Sequence, residues 1–448
     1  MSPENHSDDQ TDDQAGSSPD RQPNAASATP LLPSLGSAID TRWAEQLAFL
    51  KTLVRMPSEI PPGDMEPFAG DIADALQALG LEVERHPVPE PFVRQTGMRS
   101  VTNLIVRRRF ADGHGPVVAL CSHADVVPPG EGWRHAPYGA SEVNGLLFGR
   151  GTAFGKSDIA AYAFALLALE EEARAEDAAP GGAKLSGTVE LHITFDEEAG
   201  GYVGPSWILG QELSKPDFVI ASGFSRFVTT AHSGCLHQEI IVRGRAAHAA
   251  EPGAGVDALE AASRILHALY RERDRLAACR STLDPDIAAS LTIGLIQGGV
   301  NTNVVPDRVL IRLDRRLLPE EDGETVERAL GTLIQNAAGE QEGLEVECRR
   351  ILLAEPLRPV TGVGELASAA HRHIREVFPD ADTRTSGSPI FSDARHYAAA
   401  GIPTILYGSG PTSLTAANAH GADEHVVLSD LRAATVVVAA TLGDLLRT

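Results

Sequence analysis

Two short apolar runs, each ending in ionisable residues, constrain this chain more than anything else in it. Pro116 to Cys121 is rich in Val and Leu and breaks into Ser122-His123-Ala124-Asp125-Val126-Val127-Pro128, and Thr188 to Phe195 runs straight into Asp196-Glu197-Glu198. Such short runs, bounded by polar or proline residues, read as buried strands. In open α/β sheets ligands bind beyond the carboxyl ends of the strands, so both clusters fall where a site would form. His123 and Asp125, two apart, point the same way: the carboxylate can hold the imidazole in one tautomer while the other ring nitrogen takes a metal. A hydrogen-bonded structural pair is the alternative. The three adjacent carboxylates read either as a solvated loop or as a metal ligand beside a base facing a water.

The rest of the chain supplies the frame. Helical spacing of Trp43, Leu47, Leu50 and Val54 predicts a helix capped by Asp40 and stopped by Pro57. Phe68, Ile72, Leu76 and Leu79 predict a second, ending at Gly80, and Ile159 to Leu169 a third. With strands at Leu81 to Arg85, Val101 to Arg107 and Phe218 to Ala221, this alternation is an α/β layer. The pattern then changes. Strands over 237–242, 289–297, 308–314 and 345–352, with helices at Val256 to Tyr270 and Glu324 to Ala337, predict a small α+β unit inserted into the first domain. After Leu357 the α/β pattern resumes, with helices near 363–377 and 429–446 and a strand at Thr404 to Tyr407. The expected division is a catalytic α/β domain with a mixed sheet over 39–233 and 353–448, and an α+β lid over 234–352. Residues 1–38, rich in Asp, Ser, Gln, Pro and Ala, are expected to be a disordered acidic tail, because they offer too little apolar surface to offset ordering entropy.

A chain of 448 residues exceeds one ordinary core, which fits two domains. Its 61 acidic against 38 basic residues, a net charge of −23, argue against nucleic acid and anionic membrane as partners. No apolar run reaches the ~18 residues of a membrane span. Cys121, Cys235, Cys279 and Cys348 are widely spaced, with no CxxC pair to suggest zinc or redox work, and a reducing cytoplasm suits them. A soluble cytoplasmic protein is expected.

From His123-x-Asp125-Val-Val-Pro, through Trp133, Pro137-Tyr138-Gly139 and Gly149-Arg150-Gly151, nearly everything after residue 40 resembles the two-zinc aminoacylase and carboxypeptidase family. That family includes acetylornithine deacetylase, succinyl-diaminopimelate desuccinylase and bacterial glutamate carboxypeptidase. The resemblance implies that His123, Glu198 and His420 are metal ligands, the last in Ala419-His420-Gly-Ala-Asp-Glu-His425, with His425 a surface histidine. It implies Glu197 as general acid–base and Asp125 as the residue orienting His123. It implies that His248 of Arg243-Gly-Arg-Ala-Ala-His248 reaches a substrate carbonyl, commonly across a dimer interface. Asn303 and Arg316, from Gly298-Gly-Val-Asn-Thr-Asn303 and Asp314-Arg315-Arg316, would bind substrate, the Arg by a two-bond grip on a carboxylate. An ion pair with a nearby Asp is the alternative for Arg316. Ser386 to Asp393 resembles a Gly-rich loop near the substrate carboxylate.

Two positions depart from the family pattern. Phe154 stands where the family has an Asp bridging both metals, and Gly223 where it has an acidic ligand. Zinc in a catalytic site normally has three protein ligands, and neither half-site reaches that number. At most one zinc per chain, or none, is therefore expected. Asp158, one helical turn past Phe154, would lie about 5.4 Å too far along the axis to substitute. A mononuclear site regrouping His123, Glu198 and His420 stays open. The expected function is action at the amide of a small carboxylate-bearing substrate, an N-acyl amino acid or small peptide, by a homodimer joined through its lid. Two alternatives stay open: metal-independent acyl transfer, condensation or elimination with Glu197 as acid–base, and an inactive binding or scaffold protein.

Overall fold

An eight-stranded mixed sheet forms the body of the computed structural model, which describes residues 31–178, 184–381 and 385–447. In spatial order its strands are Val83–Pro87, Thr102–Phe110, Gly187–Thr194, Val117–His123, Phe218–Ala221, Thr404–Leu406, Thr229–His232 and Ser386–Ser388. The middle four run parallel, with antiparallel neighbours on either side. Parallel strands need both faces covered, which explains why Gly187–Thr194 is buried along its whole length. Helices Lys156–Ala178 and Leu428–Leu446 pack together over the sheet, and the second is buried on almost every side. A helix apolar all round belongs inside a core.

The expected α/β fold with a separate small sheet is what the chain adopts. Strands Gly234–Arg243, Ser290–Gly298, Arg308–Leu317 and Glu345–Ala354 form an antiparallel sheet. Helices Ala258–Leu276 and Gly323–Ala338 cover one of its faces, where Leu236, Ile240, Val242, Val309, Ile311 and Leu313 build a second core. Asp257 and Asp322 cap these helices by accepting from backbone N–H groups of the first turn.

The N-terminal expectations need correction. Residues 1–30 of the predicted tail lie outside the described residues, but Leu31–Thr41 is a helix. Leu35 and Ile39, one turn apart on one face, are fully buried in the main core, so this stretch does bury enough apolar surface to order. Nor does Asp40 cap the next helix. Its two carboxylate oxygens accept from Arg432 Nε and Nη2 at 2.6 and 2.7 Å, tying the N-terminal helix to Leu428–Leu446. Truncating Ile39 to Ala should therefore destabilise the protein by ~2–5 kcal/mol in denaturant unfolding. A change within ~0.5 kcal/mol, the range of ordinary surface substitutions, would mean that this helix is not docked.

Candidate active site

One cleft of about 240 Å³ lies at the carboxyl ends of the central strands, and the two clusters singled out in the sequence meet there. His123 ends its strand, and its Nδ1 donates to the backbone carbonyl of Asp125 at 3.1 Å. A carbonyl can only accept, so this bond places a proton on Nδ1. Burial works against the charged ring, but the Asp125 hydrogen bond and the Asp125, Glu197 and Glu198 charges outweigh it and hold His123 well above the ordinary imidazole range. The Asp125 carboxylate is fully buried. Its Oδ1 faces the same Nδ1 at 3.4 Å, while Oδ2 accepts the Glu198 N–H at 2.9 Å. Asp125 thus fixes both the histidine and the turn carrying the two glutamates. Gly155, at φ +77°, closes in on the ring: a Cβ there would lie 3.0 Å from His123 Nε2 and 2.7 Å from its carbonyl oxygen.

Glu197 and Glu198 follow Gly187–Thr194 in a single 3₁₀ turn and diverge. Glu198 Oε1 lies 3.2 Å from His420 Nε2, so the structure brings these two residues together. The Glu197 carboxylate accepts no hydrogen bond among the described residues. Burial pushes its acidity well below that of an ordinary glutamic acid; nearby His123 opposes the shift, and the carboxylates of Glu198, Asp393 and Asp125 reinforce it. Asp393, from the expected Gly-rich loop, also lines the cleft and accepts from Thr194 Oγ1 at 3.1 Å. Burial raises its carboxyl to about 6.

The other wall is aromatic. Phe154 meets Phe224 edge to face at 5.3 Å between centroids, and Phe224 stacks on Phe227 at 4.7 Å. Gly410 lets its backbone lie against the Phe154 ring, since a Cβ there would fall 2.4 Å from it. At Gly223 a Cβ would meet the Leu406 and Tyr407 backbone at 2.6 Å, so no side chain of any kind fits. Asp158 is buried and committed: its Oδ1 accepts from Ser409 N at 2.6 Å and Oγ at 2.9 Å, and its Oδ2 from Gly155 N at 3.2 Å. Although Glu198 and His420 meet, His123 does not join them to bring all three donor atoms within 4.8 Å of one another; among the described residues Cys235, His237 and Asp314 are the trio that does.

Arg316 lines the cleft from the lid, and it has the Asp partner weighed against its substrate role: its Nε donates to Asp314 Oδ1 at 3.0 Å. His248 and Asn303 lie together elsewhere, both exposed, on two lid loops joined by Ala249 N–H donating to the Asn303 carbonyl at 3.0 Å. Neither lines this chain's cleft. His425 is only half-buried rather than on the open surface, tilted against Phe148 at 5.2 Å in a strand, His425–Val427, that pairs with Leu146–Phe148.

What sequence reasoning missed is the brace beneath the cleft. Arg150 and Glu424 are both buried and paired through Arg150 Nη1. Glu424 Oε1 also accepts from Gly151 N at 2.9 Å and Ala153 N at 3.0 Å, and Oε2 from His420 N at 3.3 Å. Arg150 Nη2 donates to the carbonyls of Pro129 at 3.0 Å and His420 at 3.2 Å. The pair locks the Gly149–Ala153 turn to the loop holding His420. Breaking a buried, multiply bonded pair leaves an uncompensated charge, so Arg150→Met should cost ~3–5 kcal/mol in chemical unfolding. A loss under ~1 kcal/mol would contradict that role.

Comparison with known proteins agrees in fold and sequence. Residues 119–444 match the profile of "Peptidase family M20/M25/M40". The chain is 30% identical over 419 residues to succinyl-diaminopimelate desuccinylase of Acidiphilium cryptum (strain JF-5), covering 90% of this chain and 99% of that protein. It is 27% identical over 379 residues to acetylornithine deacetylase of Myxococcus xanthus, covering 83% and 90%. Among solved structures, human carnosine dipeptidase 1 superposes with a TM-score of 0.67 at 20% identity over 93% of this chain and 100% of that one. A metallo-carboxypeptidase, Sso-CP2, from Sulfolobus solfataricus gives 0.70 at 17% identity over 91% and 99%.

Proposed function

The chain belongs to peptidase family M20/M25/M40, and from that membership we propose that it acts at the amide bond of a small carboxylate-bearing substrate, an N-acyl amino acid or short peptide. The relatives named desuccinylase and deacetylase support the substrate class. The observation that carries the reading is Glu197: a carboxylate free of internal hydrogen bonds, in the cleft, beside His123 and opposite Arg316. A buried carboxylate with raised pKa is a competent base near neutrality.

Two zinc ions per cleft do not fit the donor set. Holding two dications about 3.5–4 Å apart requires bridging and terminal anionic ligands. Here Phe154 and Phe224 form the wall, Gly223 has no room for a side chain, and the Asp158 oxygens are taken by Ser409 and Gly155. The chemistry therefore rests on the chain's own groups. Arg316 binds the substrate carboxylate while Asp314 steadies its guanidinium. Glu197 takes a proton from the attacking group and returns it to the leaving nitrogen. Asp125 holds His123 by Nδ1 and favours its charged form, so that Nε2–H can donate a hydrogen bond to substrate or water. The Phe154–Phe224 wall, which excludes water from that side, favours as a second reading transfer of the acyl group to an amine in place of hydrolysis.

His248 and Asn303, away from their own cleft, are proposed to serve a second copy's cleft in a homodimer. The lid's edge strand Ser290–Gly298 supports this, with Ile296 half-exposed and Val300 nearly fully exposed beside it. The proposed setting is the cytoplasm.

Glu197→Gln should lower turnover of N-acyl amino acids or dipeptides by ~10²–10⁴-fold, while treatment with chelator leaves the parent's turnover unchanged. Activity lost with chelator and restored by zinc would overturn the metal-independent scheme. Arg316→Lys keeps the charge but loses the fork, so calorimetric titration should record binding weaker by ~1.5–3 kcal/mol. Because lysine can still pair with Asp314 at this partly exposed position, the melting temperature should hardly move. An early melt with unchanged binding would make Arg316 a structural residue only.

A further inference from the structure

The face of the lid sheet away from its helices carries two side chains that the cleft chemistry does not use, Cys235 and His237, beside Asp314 and Arg316, which it does. In the register between Gly234–Arg243 and Arg308–Leu317, Cys235 stands directly opposite Arg316 and His237 directly opposite Asp314. Alternate residues share a face, so all four project together. Asp314 Oδ2 is the hub: His237 Nε2 lies 2.8 Å away and Cys235 Sγ 3.6 Å away, and all three donor atoms fall within 4.8 Å of one another. Asp314 Oδ1 is taken by Arg316 Nε at 3.0 Å.

The geometry points to a zinc site formed by Cys235 Sγ, His237 Nε2 and Asp314 Oδ2, with Arg316 as the outer partner that orients the ligating carboxylate. Zinc bonds of about 2.0–2.3 Å in tetrahedral array separate donors by roughly 3.3–3.8 Å. The sulfur–oxygen pair already has that spacing, and the nitrogen–oxygen pair needs to open by less than about 1 Å. Thiolate and imidazole select zinc over magnesium or calcium, which take oxygen ligands. The charges also balance: one thiolate and one carboxylate neutralise the dication. The Cys235 proton leaves to solvent, and the His237 proton moves from Nε2 to Nδ1, freeing the lone pair that binds. Ligating carboxylates are themselves hydrogen-bonded, and Arg316 supplies that bond to the other oxygen. The buried thiol supplies the sulfur from beneath, while His237 and Asp314, both partly exposed, give the ion its way in. Three protein ligands leave one position for water or an exogenous group. The site shares Asp314 and Arg316 with the carboxylate grip proposed for the cleft, whereas Cys235 and His237 belong to it alone.

Cobalt(II) reports this directly, because a thiolate ligand adds a charge-transfer band in the near ultraviolet. The full chain, stripped by chelator and dialysed, is titrated with cobalt(II) and then with zinc(II). The expected result is a band saturating at one equivalent and abolished by zinc. Cys235→Ser should lack it. His237→Gln, at a partly exposed position that tolerates change, should bind cobalt at least ~10-fold more weakly, the least that outer-shell losses cost at such sites. Cys121→Ala, which removes the thiol lining the cleft, should keep the band. No charge-transfer band in the parent chain would overturn the site and leave a hydrogen-bonded cluster only. A band that survives Cys235→Ser, or is unmoved by His237→Gln, would overturn it as well.

Discussion

The cleft depends on one buried ion pair. Arg150 belongs to the turn before the long helix Lys156–Ala178, and Glu424 to the loop before the last strand, so their union ties together segments of the main sheet's domain that lie on either side of the lid in sequence. Taking two charges out of water is costly unless every oxygen and nitrogen finds a partner. Here the carboxylate accepts from Gly151, Ala153, His420 and Arg150, and the guanidinium reaches carbonyls of Pro129 and His420 and stacks over Trp133 at 5.2 Å. The energetic return is rigidity rather than net stability. With that brace in place, His420 is carried at a left-handed φ of 61° to within 3.2 Å of Glu198, and Phe154 is set on the opposite side.

Two walls of opposite character result. Beside the strand ends stand His123, Asp125, Glu197, Glu198 and Asp393, a concentration of carboxylates whose mutual repulsion and burial raise the pKa of Glu197 and Asp393. Facing them is the Phe154–Phe224–Phe227 stack. An apolar wall lowers the local dielectric and strengthens each remaining electrostatic contact in the cleft. It also removes ligands that paired cations would need. Under the function proposed above, a proton-transferring glutamate and an oriented carboxylate then carry the chemistry.

The fold was largely legible because its signals are local. Phe218–Ala221 and Val363–Val377 fall where apolar runs and helical spacing predict them. His123, Glu197 and Glu198 were legible for a related reason: strand ends mark the site in α/β sheets, whatever the chemistry. Short strands such as Thr229–His232 and Ser386–Ser388 carry too few residues to show a period. The helix Leu31–Thr41 was hidden by the polar composition before it, although Leu35 and Ile39 do form a stripe. Arg150 and Glu424 are 274 residues apart, and His237 and Asp314 are 77 apart on different strands. No spacing rule connects such pairs; only the sheet register and the closing of the domain bring them together. Arg316 shows the same limit, since its link to Asp314 follows from two side chains on one face of one strand but its exposure to the cleft does not.

The central proposal is that a cleft walled by Phe154 and Phe224 does not hold two metal ions. Anomalous-scattering maps from crystals grown with zinc test it most directly, because they locate each ion and do not merely count them. The account predicts no pair of peaks beside His123, Glu198 and His420, whatever the occupancy of the lid. Two peaks there, about 3.5–4 Å apart and bridged by solvent or a carboxylate, would contradict it.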